Sequence, residues 1–280
     1  MMRWRSLLFV AANDDRRLAK AAQRGADAII LDLEDAVPKD DKASARELLP
    51  AAIERLVDAR AQIVVRINVD WLDAFADLNA AVRPGVAAIM VPKAENRGRL
   101  AIISQIVAEI ASAKGLTQVP GLIALIESPK GCDAISSIAA LDTIVGLAFG
   151  SEDFSLALGV PPSPESLDLP CRLLALAAAR RGVMALGVPV SIGTIKDRDA
   201  WRLGVERARL IGLNGALCIH PDQVGPANEG FRPSSVELER AERVVKAWVA
   251  AGSSGVITLD GHMIDRPVVV AAERLLAQLR

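Results

Sequence analysis

The sequence contains no tyrosine, and phenylalanine and tryptophan bring its aromatic content to only 3%. Little is therefore present to stack on nucleobases, and a net charge of −1 gives no general attraction for nucleic acid or an anionic membrane. Histidine occurs twice and no G-x-S-x-G turn is found, which argues against a serine hydrolase. The three cysteines, Cys132, Cys171 and Cys218, have no close neighbour of their kind. That spacing argues against both a disulfide framework and a zinc knuckle, and it fits a reducing cytosol. No stretch reaches the roughly 18 apolar residues of a membrane span. The opening "MMRWRSLLFVAANDDRR" sets basic residues before an apolar run, but that run of about six residues meets Asp14 and Asp15 too soon for a secretion signal. A cytoplasmic location is the expectation.

What the chain has in quantity is apolar residues, 51% of 280, ample for one large core. Short β-branched runs recur at 6–11, 27–34, 62–68, 87–93, 121–127, 143–150, 187–194 and 215–221. Each is continuous and apolar, the pattern of strands buried on both faces of a parallel sheet. The stretches between them are rich in alanine, leucine and charge, and several close on glycine as helices do. The class is α/β, and eight such units predict a (β/α)8 TIM barrel over residues 1–230. A doubly wound open sheet is the rival, but no G-x-G-x-x-G or Walker loop is found. From residue 231 the rhythm changes. Residues 232–252 predict one long helix with a serine cap and glutamate in its first turn. Asp260-Gly261 marks a tight turn, and a second helix has Pro267 near its start. Residues 231–280 are thus expected to form a C-terminal helical extension that packs on a barrel, that of a neighbouring subunit.

In such a barrel the catalytic groups stand at the C-terminal strand ends. The predicted ends carry Asp32, Glu34 and Asp35, then Arg66 and Asn68, then Lys93 and Glu95. Glu127, the pair Glu152 and Asp153, and His220 follow. Acids outnumber bases in this ring, and carboxylates at close range repel unless a cation intervenes. Mg2+ meets that need, taking one or two carboxylates with water and substrate for the rest. Glu127 and Asp153, on adjacent strands, are the natural pair. Blander readings compete. A single acid at a strand end is often a helix cap or an ion-pair partner, Lys93 and Glu95 can pair on the surface, and His220 before Pro221 can fix a turn. A lone cysteine such as Cys132 is usually a core filler.

Nine stretches fall in order along the chain: "RSLLFVAAND", "GADAIILDLEDAV", "DKASAR", "VRIN", "VPKAE", "IESPKG", "GSEDF", "CIHPDQV" and "DGHMIDRPVVVAA". Together they resemble the citrate lyase β-subunit-like branch of the HpcH/HpaI aldolase/citrate lyase family, from Arg5 to about Ala272. The resemblance implies a Mg2+-dependent barrel that cleaves or forms a 3-hydroxyacyl-CoA thioester of the citryl-, malyl- or citramalyl-CoA type. The products would be a 2-oxo acid and an acetyl-CoA-like thioester, and the assembly a homo-oligomer, a trimer or hexamer. It makes Glu127 and Asp153 the metal ligands and Arg66 the arginine that holds the oxo-acid oxygen. It places Asp32 and Glu34 around the metal's waters or the arginine, and Lys42 and Arg46 near the CoA phosphates. It gives Asp265 the role of an acid supplied by a neighbouring subunit. The N–H groups around Glu152 and Asp153 would hold the substrate carboxylate. Three features differ from the usual pattern: "FVAA" at 9–12, "SIGTIKD" at 191–197 and Ser151 before the acids of strand six; the first two bear on which substrate is taken. Two other functions fit parts of the pattern: a class II pyruvate aldolase acting without CoA, and a non-catalytic barrel subunit of a larger complex.

Overall fold

The computed structural model describes residues 3–252 and 255–277. The chain divides into two units, Met1–Phe231 and Arg232–Arg280. In the first, eight strands pair in parallel: β1 (Ser6–Ala11), β2 (Ala28–Asp32), β3 (Gln62–Arg66), β4 (Val86–Val91), β5 (Gly121–Ile126), β6 (Ile144–Phe149), β7 (Met184–Leu186) and β8 (Ala216–Cys218). Their order is β7-β6-β5-β4-β3-β2-β1-β8. One bridge between Leu186 and Gly215, with the Gly187 N–H donating to Gly215 O at 2.8 Å, joins β7 to the β8 side. The sheet so closed is a (β/α)8 barrel.

The helices follow in turn: α1 (Asp15–Ala21), α2 (Lys42–Asp58), α3 (Trp71–Ala81), α4 (Arg97–Ala113), α5 (Pro129–Ala139), α6 (Ser151–Leu158), α7 (Pro164–Arg181), α8 (Arg198–Leu210) and α9 (Pro221–Gly230). Local chemistry sets several of their ends. Ser128 caps α5 by accepting the Gly131 N–H, and Pro129 opens that helix where its missing N–H costs nothing. Gly159 and Gly182 end α6 and α7 in the left-handed conformation. Alternation along the strands builds two cores. One fills the barrel interior with Leu7, Ile30, Val64, Met90, Ile123 and Leu186 among others. The larger lies between the strands and the surrounding helices. Among the described residues no helix is long and apolar enough to cross a membrane.

The seventh strand is not where the sequence placed it. The apolar stretch 187–194 is loop, and β7 is the three residues before it. Gly187 ends the strand because its φ of +141° suits glycine alone. A Cβ there would also sit 2.8 Å from the Phe149 Cβ. The true strand, directly after the α7 cap, is too short to stand out from its neighbours.

The second unit is a helix, a hairpin and a helix: α10 (Ser235–Ala250), β9 (Ile257–Leu259), β10 (His262–Ile264) and α11 (Arg266–Leu276). Ser234 and Glu237 cap α10 reciprocally. Asp260 and Gly261 turn the hairpin with positive φ at both positions. Ala241, Val244, Trp248, Ile264, Val269 and Ala272 form its own small core, with Val268, Leu275 and Leu276 packed against it.

Candidate active site

Because all eight strands run the same way, their last residues rise at one mouth. Asp32 and Arg66 end β2 and β3 in register. Asp32 takes Arg66 with both oxygens, accepting Nε at 2.7 Å and Nη2 at 2.6 Å. The same carboxylate accepts the N–H groups of Glu34 and Ala36, so the turn after β2 wraps around it. Arg66 Nη1 lies 2.7 Å from Glu34 Oε2 without hydrogen-bond alignment, and it donates to Asp35 at 3.2 Å. The Phe9 ring lies against the guanidinium, 4.8 Å from Cζ to the ring centroid. Arg66 is 8% exposed. Burial alone would lower its pKa, but the Asp32 hydrogen bonds and the charges of Asp32, Glu34 and Asp35 hold it above the usual arginine value. Glu34 is pushed up to about 7, chiefly by burial, with Arg66 opposing.

Glu127 follows β5 and is 6% exposed. Its Oε2 accepts the Lys93 N–H at 2.8 Å, and no other hydrogen bond or ion pair reaches it from the described residues. Its side chain lies over Gly150, where a Cβ would meet Glu127 Cγ at 2.7 Å. Burial pushes Glu127 up to about 8, and the charges of Glu34 and Asp153 add to the rise. Asp153 stands in the first turn of α6, after β6, which pairs with β5. Lys93 has the left-handed φ of +47°, and its Nζ lies 3.5 Å from Glu34 Oε1. Asp32, Glu34, Arg66, Glu127 and Lys93 thus form one connected network, with Asp153 close enough for its charge to act on Glu127 and Lys93.

Other residues singled out from the sequence serve the frame of this mouth. Glu152 Oε1 accepts from Ser191 Oγ and from the N–H groups of Ile192 and Gly193, tying down the loop after β7. The Lys42 ammonium donates to the carbonyls of Leu33 and Glu34. Arg46 is paired with Asp77 at 2.7 Å and with Asp73. His220 caps α9, its Nδ1 accepting the Asp222 N–H. Lys93 and Glu95 do not pair. Glu95 instead accepts from Ser128 Oγ at 2.6 Å and pairs with Lys130. Cys171 and Cys218 are buried, and burial raises their thiols far above reactivity. Asp265, in the second unit, caps α11 by accepting the Val268 N–H at 3.3 Å.

Three participants escaped the sequence reading. Phe9 is one apolar residue among many on β1. Asp77 is fully buried on α3, where it accepts both N–H groups of Asn68 and so fixes the chain after Arg66. Its one sequence signal is a carboxylate on the helix face shared with Ala74, Leu78 and Ala81. The third feature is a basic cavity of about 650 Å³, walled by Phe9, Arg16, Lys20, Arg24, Ile195 and His220. Arg16, Lys20 and Arg24 make no ion pair with any described residue there. Phe9, whose ring lies against Arg66, is among its lining residues.

The carboxylates fit Mg2+. Glu127 is a hard oxygen donor held out of water with a single hydrogen bond, and burial raises its pKa although Arg66 opposes the rise. The described residues contain no cluster of three or more His, Cys, Asp or Glu side chains arranged for a metal. Two carboxylates with water and substrate oxygens is a coordination that Mg2+ accepts.

Known proteins resemble this chain along most of its length. Residues 5–221 match the profile of the family described as HpcH/HpaI aldolase/citrate lyase. A (3S)-malyl-CoA thioesterase of Cereibacter sphaeroides is 32% identical over 98% of this chain and 94% of its own. The citrate lyase subunit beta of Haemophilus influenzae is 31% identical over 99% and 97%. Among solved structures, CitE of Mycobacterium tuberculosis in complex with magnesium, acetoacetate and coenzyme A superposes with a TM-score of 0.75. It is 31% identical, covering 98% of this chain and 97% of that one.

Proposed function

Because the chain belongs to the HpcH/HpaI aldolase/citrate lyase family, we propose that it is a Mg2+-dependent carbon–carbon lyase. It cleaves, or forms, a 3-hydroxyacyl-CoA thioester of the citryl-, malyl- or citramalyl-CoA type, giving a 2-oxo acid and an acetyl-CoA-like thioester. The observation that carries this reading is the buried Arg66–Asp32–Glu34 network beside Glu127 and Asp153 at the barrel mouth.

In this proposal Glu127 and Asp153 hold the Mg2+, which when bound supplies a Lewis acid for the substrate's oxygens. Arg66 is pre-oriented by Asp32 and presents Nη1 to the oxygen that becomes the keto group, stabilising the charge there as the carbon–carbon bond breaks. The hydroxyl gives its proton to solvent water, and the bond's electron pair stays on the thioester fragment as an enolate. Its carbon takes a proton from an acid, which we assign to Asp265 of another copy in a homo-oligomer, a trimer or hexamer. Glu152 keeps the loop after β7 in place beside the N–H groups of α6 that take the substrate carboxylate. Lys42 and Arg46 already donate within the chain, so a CoA phosphate near them would take their remaining N–H groups. Arg16, Lys20 and Arg24 around the basic cavity offer more unpaired donors for the diphosphate. A cytoplasmic setting fits the free thiols.

The test is a panel of malyl-, citramalyl- and citryl-CoA incubated with Mg2+, following 2-oxo acid and free CoA thiol separately. A lyase releases 2-oxo acid while CoA stays acylated. Because one relative is named a thioesterase, release of free CoA with the hydroxy acid intact would replace the lyase reading with hydrolysis. Cleavage of free hydroxy-oxo acids but not thioesters would favour the pyruvate aldolase, and no turnover with any substrate the non-catalytic subunit.

A further inference from the structure

Lys93 is out of place as a mere surface residue. Its backbone is left-handed at φ +47°, a region that a lysine adopts only at a conformational cost and that glycine enters freely. Its N–H is already engaged with Glu127 Oε2, which glycine would do equally well. The side chain is therefore what the strained position carries. That side chain is 48% exposed, and its ammonium stands 3.5 Å from Glu34, with the charges of Asp35, Glu127 and Asp153 also acting on it. The ion pair with Glu34 is loose, so its three N–H donors are largely uncommitted. Arg66 and Lys93 flank Glu34, one at each carboxylate oxygen.

The charges of the mouth give this placement a use. Five carboxylates, Asp32, Glu34, Asp35, Glu127 and Asp153, face two cations, Arg66 and Lys93. With all five ionised, adding a divalent metal still leaves one net negative charge before any acid substrate enters. Without Lys93 an anionic substrate would enter a site with twice that charge. A positive group close to both metal carboxylates also repels the metal.

Resting on the functional reading above, we propose that Lys93 is a substrate-binding residue whose ammonium joins the α6 N–H groups in holding the carboxylate of the 2-oxo acid. Arg66 is then left free for the oxygen that changes charge in the reaction. The expected signature is opposite effects on the two ligands when the charge is removed.

The experiment titrates the parent protein, Lys93→Met, Lys93→Arg and Lys93→Gly by calorimetry, first with Mg2+ alone and then with pyruvate at saturating Mg2+. Lys93→Met should bind Mg2+ more tightly, on the order of ten-fold at low salt, and pyruvate at least about ten-fold more weakly. Lys93→Arg keeps the charge and should stay near the parent for the metal. Lys93→Gly keeps the hydrogen bond to Glu127 and relieves the backbone strain, so it should melt no lower than the parent and show the same opposed shifts. Unchanged pyruvate affinity in the methionine and glycine variants, or weaker Mg2+ binding in both, would overturn the assignment while leaving the lyase reading in place. A parent protein that binds neither Mg2+ nor pyruvate would overturn the functional reading, and this inference with it.

Discussion

Burial pushes Glu127 up to about 8 and Glu34 up to about 7, so the metal-free protein should lose stability as pH rises. Each carboxyl binds its proton more tightly in the folded chain than in the unfolded one, where both titrate near 4.5. The stabilisation is fully present below that value and is lost as pH climbs through about 7 and then about 8. Protein treated with chelator should be less stable at pH 9 than at pH 6, by on the order of a few kcal/mol, and so melt at a lower temperature. Added Mg2+ should protect more at the higher pH, because it binds the ionised carboxylate. A chelated melting temperature that rises over that interval contradicts the account. Arg66 is a second test at this scale. Arg66→Lys loses the two-pronged bond to Asp32, so turnover should fall about 100-fold at unchanged metal affinity. Full turnover by the lysine variant would remove Arg66 from the site.

At the scale of elements, the sequence located most of the barrel because buried parallel strands are continuous apolar runs, and seven of the eight overlap their predicted positions. The run at 187–194 misled because apolarity marks burial and not strand: Val188 is buried in a loop that leaves β7 at Gly187. The acids after β2, β5 and β6 were legible because a charge ending an apolar run is costly without a partner. Phe9 against Arg66, and Asp77 beneath Asn68, were not, since both contacts join residues far apart in sequence and depend on which way each side chain turns. Gly150 shows the same limit. It reads as a loop glycine, yet it lies under Glu127. Gly150→Ala should displace that carboxylate, cost about 1–3 kcal/mol and weaken Mg2+ binding, measured by melting and by calorimetry. Asp77→Ala should cost about 1–3 kcal/mol, since it leaves Arg46 Nε and the Asn68 backbone N–H without their acceptor, while Asp73 still pairs with Arg46 and Leu33 O still accepts from the Asn68 amide. Parent-like melting in Asp77→Ala would deny it that supporting role.

The whole molecule holds a barrel with a site at its mouth and a C-terminal unit whose Asp265 caps its own helix. The proposal that Asp265 serves another copy's barrel predicts that inactive Glu127→Gln and inactive Asp265→Asn proteins regain activity when mixed under subunit exchange. Exchange without recovery would return Asp265 to capping alone. The central claim is that a metal held by Glu127 and Asp153 drives carbon–carbon cleavage, and the most direct test is 2-oxo acid release from an active acyl-CoA thioester as Mg2+ is titrated into chelator-treated protein. The account predicts release that is absent without metal, saturates with Mg2+ in the parent, and stays at least about 100-fold lower throughout the titration in folded Glu127→Gln. Full release in chelator, or a Glu127→Gln curve that overlays the parent, would contradict it.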